Sequence, residues 1–127
     1  MIPRQYRLKH MKDFEILFKE GRFVGSDLVT AKIWKIDPDK YPRRKYTTDT
    51  LLIGFVVSTK VSKSAVKRNR VKRRMREAVR LLLKEQTPNT GFLVLLIGKK
   101  ECLTAEYVDI QRSVADVLKR RRIFYGN

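Results

Sequence analysis

The spacing of apolar residues near the start of the chain is typical of a helix. In residues 11–20, Phe14, Leu17 and Phe18 recur at the three- and four-residue intervals that place side chains on one side of a helix. Gly21 follows directly, and glycine is a common residue just beyond a helix end. These residues predict a short amphipathic helix.

Two further segments have the same helical period over longer stretches. The first runs from residue 65 to about residue 86, and its apolar stripe is Val71, Met75, Ala78, Val79 and Leu82. The second starts near Thr104, and its apolar stripe is Tyr107, Ile110, Val114, Val117 and Leu118. Each stripe can face a core while the remaining positions face water, so both segments predict amphipathic helices.

Strand patterns occupy the segments between these helices. Residues 22–36 alternate apolar and polar positions around a break at 25–27, which predicts a short strand followed by a long one. The two faces of the long strand carry Val29, Ala31 and Ile33 on one side and Thr30, Lys32 and Trp34 on the other. Residues 51–58 and 92–98 are almost wholly apolar, which predicts strands buried on both faces. We expect the 51–58 strand to be central in the sheet.

The element order αβββαβα predicts a single domain over residues 1–127 with an α+β sandwich fold, in which helices pack on a mixed sheet. One face of the sheet can stay open in this arrangement. Residues 37–50 contain two prolines and no apolar period, which predicts an exposed, mobile loop. Residues 119–127 form a basic tail that either caps the last helix electrostatically or makes an extra contact.

The charge of the chain indicates the kind of partner. Lys and Arg number 30 against 13 Asp and Glu, for a net charge of +17, while 43% apolar residues keep the chain in the globular range. Such an excess of positive charge favours a polyanionic partner, most commonly nucleic acid, with a membrane surface as the rival. No stretch reaches the roughly 20 apolar residues of a membrane span, and the N-terminus lacks the apolar run of a signal peptide, so we expect a cytoplasmic protein.

Few residues of this chain offer catalytic or metal-binding chemistry. The sequence has one cysteine, Cys102, which excludes an internal disulfide and a cysteine-based zinc cluster, and one histidine, His10. An autonomous nuclease, the competing class of function, commonly needs clustered carboxylates or a pair of acid–base groups. Asp37 and Asp39 lie in the proline-bearing loop, and the other acids are scattered beside Lys or Arg. We therefore expect no catalytic residue and no metal site on the protein.

The second predicted helix carries most of the candidate binding chemistry. Residues 67–80 read KRNRVKRRMREAVR, so the positions outside the apolar stripe are almost all cationic. Like charges four residues apart, such as Lys72 and Arg76, destabilise a helix by about 0.3 kcal/mol per pair. A solvated basic face is the plain alternative, but arginine suits phosphate because its guanidinium can donate two parallel hydrogen bonds. A membrane-surface helix is disfavoured because the apolar stripe is needed to cover the strands.

Residues 58–77, STKVSKSAVKRNRVKRRMRE, closely resemble the signature of the bacterial ribonuclease P protein subunit, whose core is Arg-Asn-Arg-x-Lys-Arg followed by Arg-Glu. Arg7-Leu8 and Asp13-Phe14 with Phe18 and Gly21 extend the resemblance upstream, so that it covers nearly the whole chain. It implies the αβββαβα fold with a left-handed βαβ crossover that this family shares with the second domain of ribosomal protein S5. It also implies a function, which is to assist a catalytic RNA in removing the 5′ leader from precursor tRNA.

The resemblance implies a first binding site, for the catalytic RNA, on the basic helix and the turn before it. Carried over to this sequence, the site comprises Lys60, Lys63, Lys67, Arg68, Asn69, Arg70, Lys72, Arg73, Arg74 and Arg76. Thr59 and Ser62 depart from the family, which usually has a second lysine before Lys60 and often glycine near residue 62. Mg²⁺ is implied to be held mainly by the RNA subunit and the substrate, and no protein partner is required.

A second implied site is a cleft between the first helix and the sheet for the single-stranded leader. The candidate residues are Phe14, Phe18, Lys32 and Trp34, because aromatic faces beside cations suit sequence-tolerant binding of single strands. Core packing is the alternative for the two phenylalanines. The basic triplet at 43–45 either contacts RNA or is a solvated part of its loop. A ribosomal or other structural RNA-binding protein would share this charge, and the spacing of the Arg-Asn-Arg-x-Lys-Arg motif is what separates the two classes.

Overall fold

The structure is a computed structural model that describes residues 2–124. Within this range the helices are α1 (Met11–Glu20), α2 (Ala65–Glu85) and α3 (Tyr107–Arg120), and the strands are β1 (Arg22–Gly25), β2 (Val29–Lys35), β3 (Leu51–Val56) and β4 (Phe92–Gly98). Short 3-10 turns lie at Arg4–Tyr6, Pro42–Arg44 and Lys100–Leu103. The predicted order αβββαβα is confirmed.

The four described strands form one mixed sheet in the order β1-β2-β4-β3, in which β3 and β4 are parallel and the other neighbours are antiparallel. The expectation of a central 51–58 strand is wrong, because the crossover through α2 places β4 between β2 and β3. The N-terminal segment covers the outer edge of β3, where the Leu8 N–H donates to the Ile53 carbonyl at 3.1 Å. Gly54 leaves room for this segment, since a Cβ there would lie 2.9 Å from Leu8 Cδ2. An edge strand shielded in this way has the apolar sequence of an interior strand.

Helices α2 and α3 cover one face of the sheet and enclose the larger core. The predicted stripe of α2 is buried in full, and so is that of α3 except for Tyr107, which is partly exposed. Gly98 allows α2 to lie close to β4, because a Cβ at this position would be 3.0 Å from Val71 Cγ1. Both amphipathic helices are therefore confirmed. No helix in the described part of the chain is long and apolar enough to cross a membrane.

Helix α1 covers part of the opposite face of the sheet. A smaller core lies beneath it and consists of Leu8, Ile16, Leu17, Trp34, Ile36, Tyr46, Leu93 and Leu95. Thr30, Ile97 and Val56 are adjacent across β2, β4 and β3, and they stay partly exposed. This face of the sheet is therefore partly open along Thr30, Ile97 and Val56 and exposed at Phe23 of β1, rather than open over its whole extent.

Residues 37–50 are mostly exposed, as predicted, but two of their tyrosines pack against the protein. Tyr46 is only 6% exposed and Tyr41 is half-buried, and both rings lie edge-on to the indole of Trp34 with centroid distances of 5.8 and 5.7 Å. Arg43, within the 3-10 turn, and Lys45, directly after it, face solvent. The tyrosines were not recognised as packing residues because they have no periodic spacing.

The basic tail predicted at 119–127 is also more ordered than its charge suggests. Helix α3 ends at Arg120, and the chain turns back at Arg122, which has a positive φ of 59°. Ile123 and Phe124 are fully buried in the larger core, and the Ile123 N–H donates to the Leu118 carbonyl at 2.9 Å. Residues 125–127 of the predicted tail lie outside the described residues.

Cys102 is fully buried, and its thiol donates to the Leu28 carbonyl at 3.0 Å. Burial raises the pKa of the Cys102 thiol, so the reactive thiolate is scarce at neutral pH. Iodoacetamide should therefore alkylate the folded protein at least about 100-fold more slowly than the urea-unfolded chain. Mass spectrometry at pH 8 measures both rates, and equal rates would contradict the burial.

Candidate nucleic-acid interface

The turn that leads into α2 is stabilised by its own serine side chains. Ser58 Oγ accepts from the Lys60 N–H at 3.0 Å, and Ser62 Oγ accepts from the Ser64 N–H at 3.1 Å. Ser64 is the N-cap of α2, and its Oγ accepts from the Lys67 N–H at 3.3 Å. Ser62, one of the two departures from the family signature, thus supports the turn by side-chain hydrogen bonding where a glycine would rely on backbone freedom.

Three of the α2 arginines predicted to bind RNA also have contacts within the protein. Arg68 donates from NH1 to the Ser62 carbonyl at 2.8 Å, which ties the start of the helix to the preceding turn. Arg74 donates from NH1 to the Ala105 carbonyl at 3.1 Å, on the side of α2 that faces the start of α3. Arg76 lies over the ring of Phe55, with its guanidinium carbon 5.7 Å from the ring centroid.

The remaining residues predicted to bind the catalytic RNA make no internal contacts with their polar side-chain groups. In the described part of the chain, no hydrogen bond or ion pair is made by the side chains of Lys60, Lys63, Lys67, Asn69, Arg70, Lys72 or Arg73. All of these residues are exposed except Lys72, which is partly exposed. They cover the 58–64 turn and the first three turns of α2, a surface that we call the α2 basic surface. Unpaired like charges at this density favour a polyanionic ligand.

The α2 basic surface ends at Glu77, in the middle of the helix. Arg80, which the helical periodicity places on the same side, donates from Nε to both carboxylate oxygens of Glu77 at 3.1 and 3.0 Å. These hydrogen bonds lower the pKa of Glu77, so the pair is ionised and locally neutral. The cationic stretch is thus confined to the N-terminal half of α2.

A cluster of aromatic rings and one lysine lies beside the open end of the sheet. Lys32 Nζ donates to the Phe18 carbonyl at 2.6 Å and lies 5.2 and 4.7 Å from the ring centroids of Phe18 and Phe23. Phe18 is 53% exposed and Phe23 is 64% exposed, although both are large apolar side chains. Phe14 is partly buried against the smaller core. We call this cluster, with the partly exposed floor of Thr30, Ile97 and Val56, the aromatic cleft.

The structure separates the four residues predicted for the leader site. Phe18 presents an exposed ring, whereas the residue Lys32 is only 9% exposed and its ammonium is held under two rings. Trp34 is 8% exposed and lies in the smaller core. It therefore packs within the protein, and its position does not support contact with a ligand. The sequence reasoning missed Phe23, which lies opposite Lys32 in the β1–β2 register. A hairpin register inferred from the turn at 25–28 could have found it.

The described residues contain no group of three or more His, Cys, Asp and Glu side chains that could hold a metal ion. The exposed cations of the α2 basic surface are chemically suited to phosphate, and the exposed rings of the aromatic cleft are suited to base stacking.

Comparison with known proteins decides the family. The family model for ribonuclease P matches residues 2–122 of this chain. The chain belongs to the ribonuclease P protein family. Ribonuclease P protein components from Picosynechococcus and Chloroflexus aurantiacus are similar to it at 32% identity over 127 residues and 37% identity over 117 residues. The first alignment covers 99% of this chain and 98% of the relative, and the second covers 92% and 78%.

Solved structures of ribonuclease P proteins have the same fold. The Staphylococcus aureus protein superposes with a TM-score of 0.73 at 24% identity, covering 94% of this chain and 97% of the other. The Thermotoga maritima protein gives a TM-score of 0.70 at 24% identity, covering 90% and 96%. The predicted family and the predicted α+β fold with a mixed sheet are confirmed.

Proposed function

We propose that this ribonuclease P protein binds the catalytic RNA of ribonuclease P through the α2 basic surface and the 5′ leader of precursor tRNA along the aromatic cleft. In this role it promotes RNA-catalysed, Mg²⁺-dependent removal of the leader, which gives the mature 5′ end of the tRNA. Phosphodiester hydrolysis is assigned to the RNA subunit, and Mg²⁺ to the RNA and substrate. We expect the assembly to act in the cytoplasm.

The observation that carries the proposal is the set of unpaired cations on α2. Arg70 and Arg73 are exposed and meet no acid in the described structure, while Glu77 is already paired with Arg80. A helix that faced only water would gain stability from acids at these positions. The arrangement is suited to the closely spaced phosphates of a folded RNA.

The aromatic cleft supports the part of the proposal that concerns the leader. Exposed rings of Phe18 and Phe23 offer faces on which unpaired bases can stack, whatever their sequence. Lys32 restrains both rings from below and adds positive charge near the passing backbone. The partly exposed strip of Thr30, Ile97 and Val56 leads from these rings toward the C-terminal end of β3, after which the chain enters the 58–64 turn.

The contribution of the protein to catalysis is then positioning and charge neutralisation. Bringing a polyanionic substrate to a polyanionic ribozyme costs free energy that either bound Mg²⁺ or protein cations can offset. A leader held on the protein also places the scissile bond near the RNA active centre more often than free diffusion would.

Reconstituted cleavage tests this function. Purified protein should leave precursor tRNA intact at every Mg²⁺ concentration, and the RNA subunit alone should need high Mg²⁺. A mixture of the two should cut at the mature 5′ end in low Mg²⁺. Site-specific cutting by RNA-free protein would instead indicate an autonomous nuclease. Tight binding of the RNA without any gain in cleavage would indicate a structural RNA-binding protein.

A further inference from the structure

The segment 37–50 is attached to both ends of α1. At the C-terminal end of the helix, Glu20 accepts from Lys40 Nζ at 2.9 Å and from the Tyr41 hydroxyl at 2.7 Å. At the N-terminal end, Asp13 accepts from Arg44 Nε and NH2 at 3.0 and 2.9 Å. The Tyr46 hydroxyl donates to the same Asp13 oxygen. The part from Lys40 to Tyr46, which we call the strap, therefore runs antiparallel to α1.

The strap lies on the flank of α1 that is turned away from the aromatic cleft. At about 100° per residue, Asp13 and Glu20 point in directions only about 20° apart, whereas Phe18 points about 140° from Asp13. The carboxylate of Asp13 is 2% exposed, and that of Glu20 is 14% exposed. The two acids thus bind the strap, while the Phe18 side chain lies on the flank of α1 that faces the cleft.

The strap is also attached to the sheet, through the indole of Trp34. The rings of Tyr41 and Tyr46 lie edge-on to this indole at 5.7 and 5.8 Å. Burial and the hydrogen bond to Asp13 raise the pKa of Tyr46, so the hydroxyl that donates to Asp13 stays protonated in alkaline solution as well as at neutral pH. Through these contacts the strap connects α1 to the end of β2.

A ten-residue helix such as α1 has little stability of its own, so its position depends on tertiary contacts. On the side of the sheet, Ile16 and Leu17 pack into the smaller core, and these apolar contacts restrain sliding less than hydrogen bonds do. Polar contacts at both ends, Asp13 and Glu20, limit sliding and rotation of the helix. Together with the hydrogen bond from Lys32 to the Phe18 carbonyl, they therefore restrain the distance of the Phe18 ring from the floor of the cleft.

We propose that the strap positions α1 for leader binding, with Asp13 and Glu20 as positioning residues that act through Phe18. The proposal rests on the proposed function of the aromatic cleft. Loosening the strap should weaken the preference for precursor over mature tRNA and leave binding of the catalytic RNA unchanged. The α2 basic surface is expected to be unaffected because it lies on the other side of the sheet from α1.

The test variant is Asp13→Asn, which keeps the size of the side chain and removes the charge that Arg44 requires. Glu15→Gln is the matched control, because Glu15 is on the same helix, its side chain is 59% exposed, and its only ion pair within residues 2–124 is with Lys12, at 3.7 Å. Should Asp13→Asn fail to fold, the double variant Glu20→Gln with Tyr41→Phe releases the other end of the strap at a more exposed position. Phe18→Leu is measured in the same series.

Two measurements are made on each variant. The first is acrylamide quenching of Trp34, which is the single tryptophan of the chain and lies beneath the strap, so its fluorescence reports strap docking. The second is the affinity of the reconstituted holoenzyme for precursor and for mature tRNA. We expect Asp13→Asn to increase quenching and to reduce the precursor preference about tenfold, less than loss of the ring itself. Glu15→Gln should change neither.

Different outcomes separate this proposal from the function on which it rests. Increased quenching with an unchanged precursor preference would overturn the positioning role and leave the strap as packing alone. Unchanged quenching in both strap variants would overturn it as well, because these contacts would then not hold the strap. If Phe18→Leu also leaves the precursor preference unchanged, the leader site itself is wrong and the positioning role falls with it.

Discussion

Replacing Arg70 and Arg73 together by alanine will weaken binding of the ribonuclease P RNA about 100-fold at low salt, because two charge-assisted phosphate contacts are lost. The log–log dependence of affinity on KCl should become shallower by about 1.4 to 1.8, at 0.7 to 0.9 per lost contact. Neither side chain has a partner within the described structure, so the free energy of unfolding should change by less than about 0.5 kcal/mol. Filter binding over a KCl series measures both the affinity and the slope.

The matched control removes two arginines from another surface of the protein. Arg112 and Arg121 are exposed on and just after α3, and Arg112 is paired with Asp109 at 3.4 Å. Their double replacement by alanine lowers the net charge by the same amount, and we expect a much smaller change in slope. A folded Arg70/Arg73 variant with an unchanged slope would refute the assignment of the α2 basic surface.

Phe18→Leu will weaken binding of precursor tRNA by up to about 100-fold and leave mature tRNA nearly unaffected, because stacking contributes roughly 1 to 3 kcal/mol per base. The ring is 53% exposed, so its loss should cost little folding stability. Binding of the holoenzyme to the two tRNAs, measured in parallel, gives the discrimination directly. Phe23→Leu should act in the same direction, since the two rings share Lys32.

Val108→Ala is the control for this second prediction. Val108 is an apolar residue that is 53% exposed, like Phe18, but it lies on α3, which covers the other face of the sheet. Its replacement should not alter discrimination. Equal losses for precursor and mature tRNA with Phe18→Leu, or a loss of thermal stability alone, would show that Phe18 is a packing residue.

The sequence and the structure agree best where a pattern is long and local. Helix α2 extends over 21 residues, and every residue of its predicted stripe is buried. Over so many turns the apolar period is compatible with only one buried face of the helix. The cationic, solvent-facing side could therefore also be predicted. Helix α1 is shorter, and its buried side includes Asp13 and Ile16 while Phe18 is exposed. In a helix of ten residues, the spacing of aromatic residues does not show which side chains are buried in the core and which are exposed to a ligand.

The sequence by itself determined the element order, the two long amphipathic helices, the family and the dense run of cations on α2, because each depends on residues that are close in the chain. Only the tertiary structure decided the position of β3 at an edge, the burial of Trp34 and the pairing of Phe23 with Phe18 around Lys32. It also decided the docking of the strap, where Asp13 and Arg44 meet across 31 positions of sequence. Such contacts form only when the sheet brings distant segments together. An ion pair between distant residues leaves no periodic pattern in the sequence, so it could not be predicted from the sequence alone.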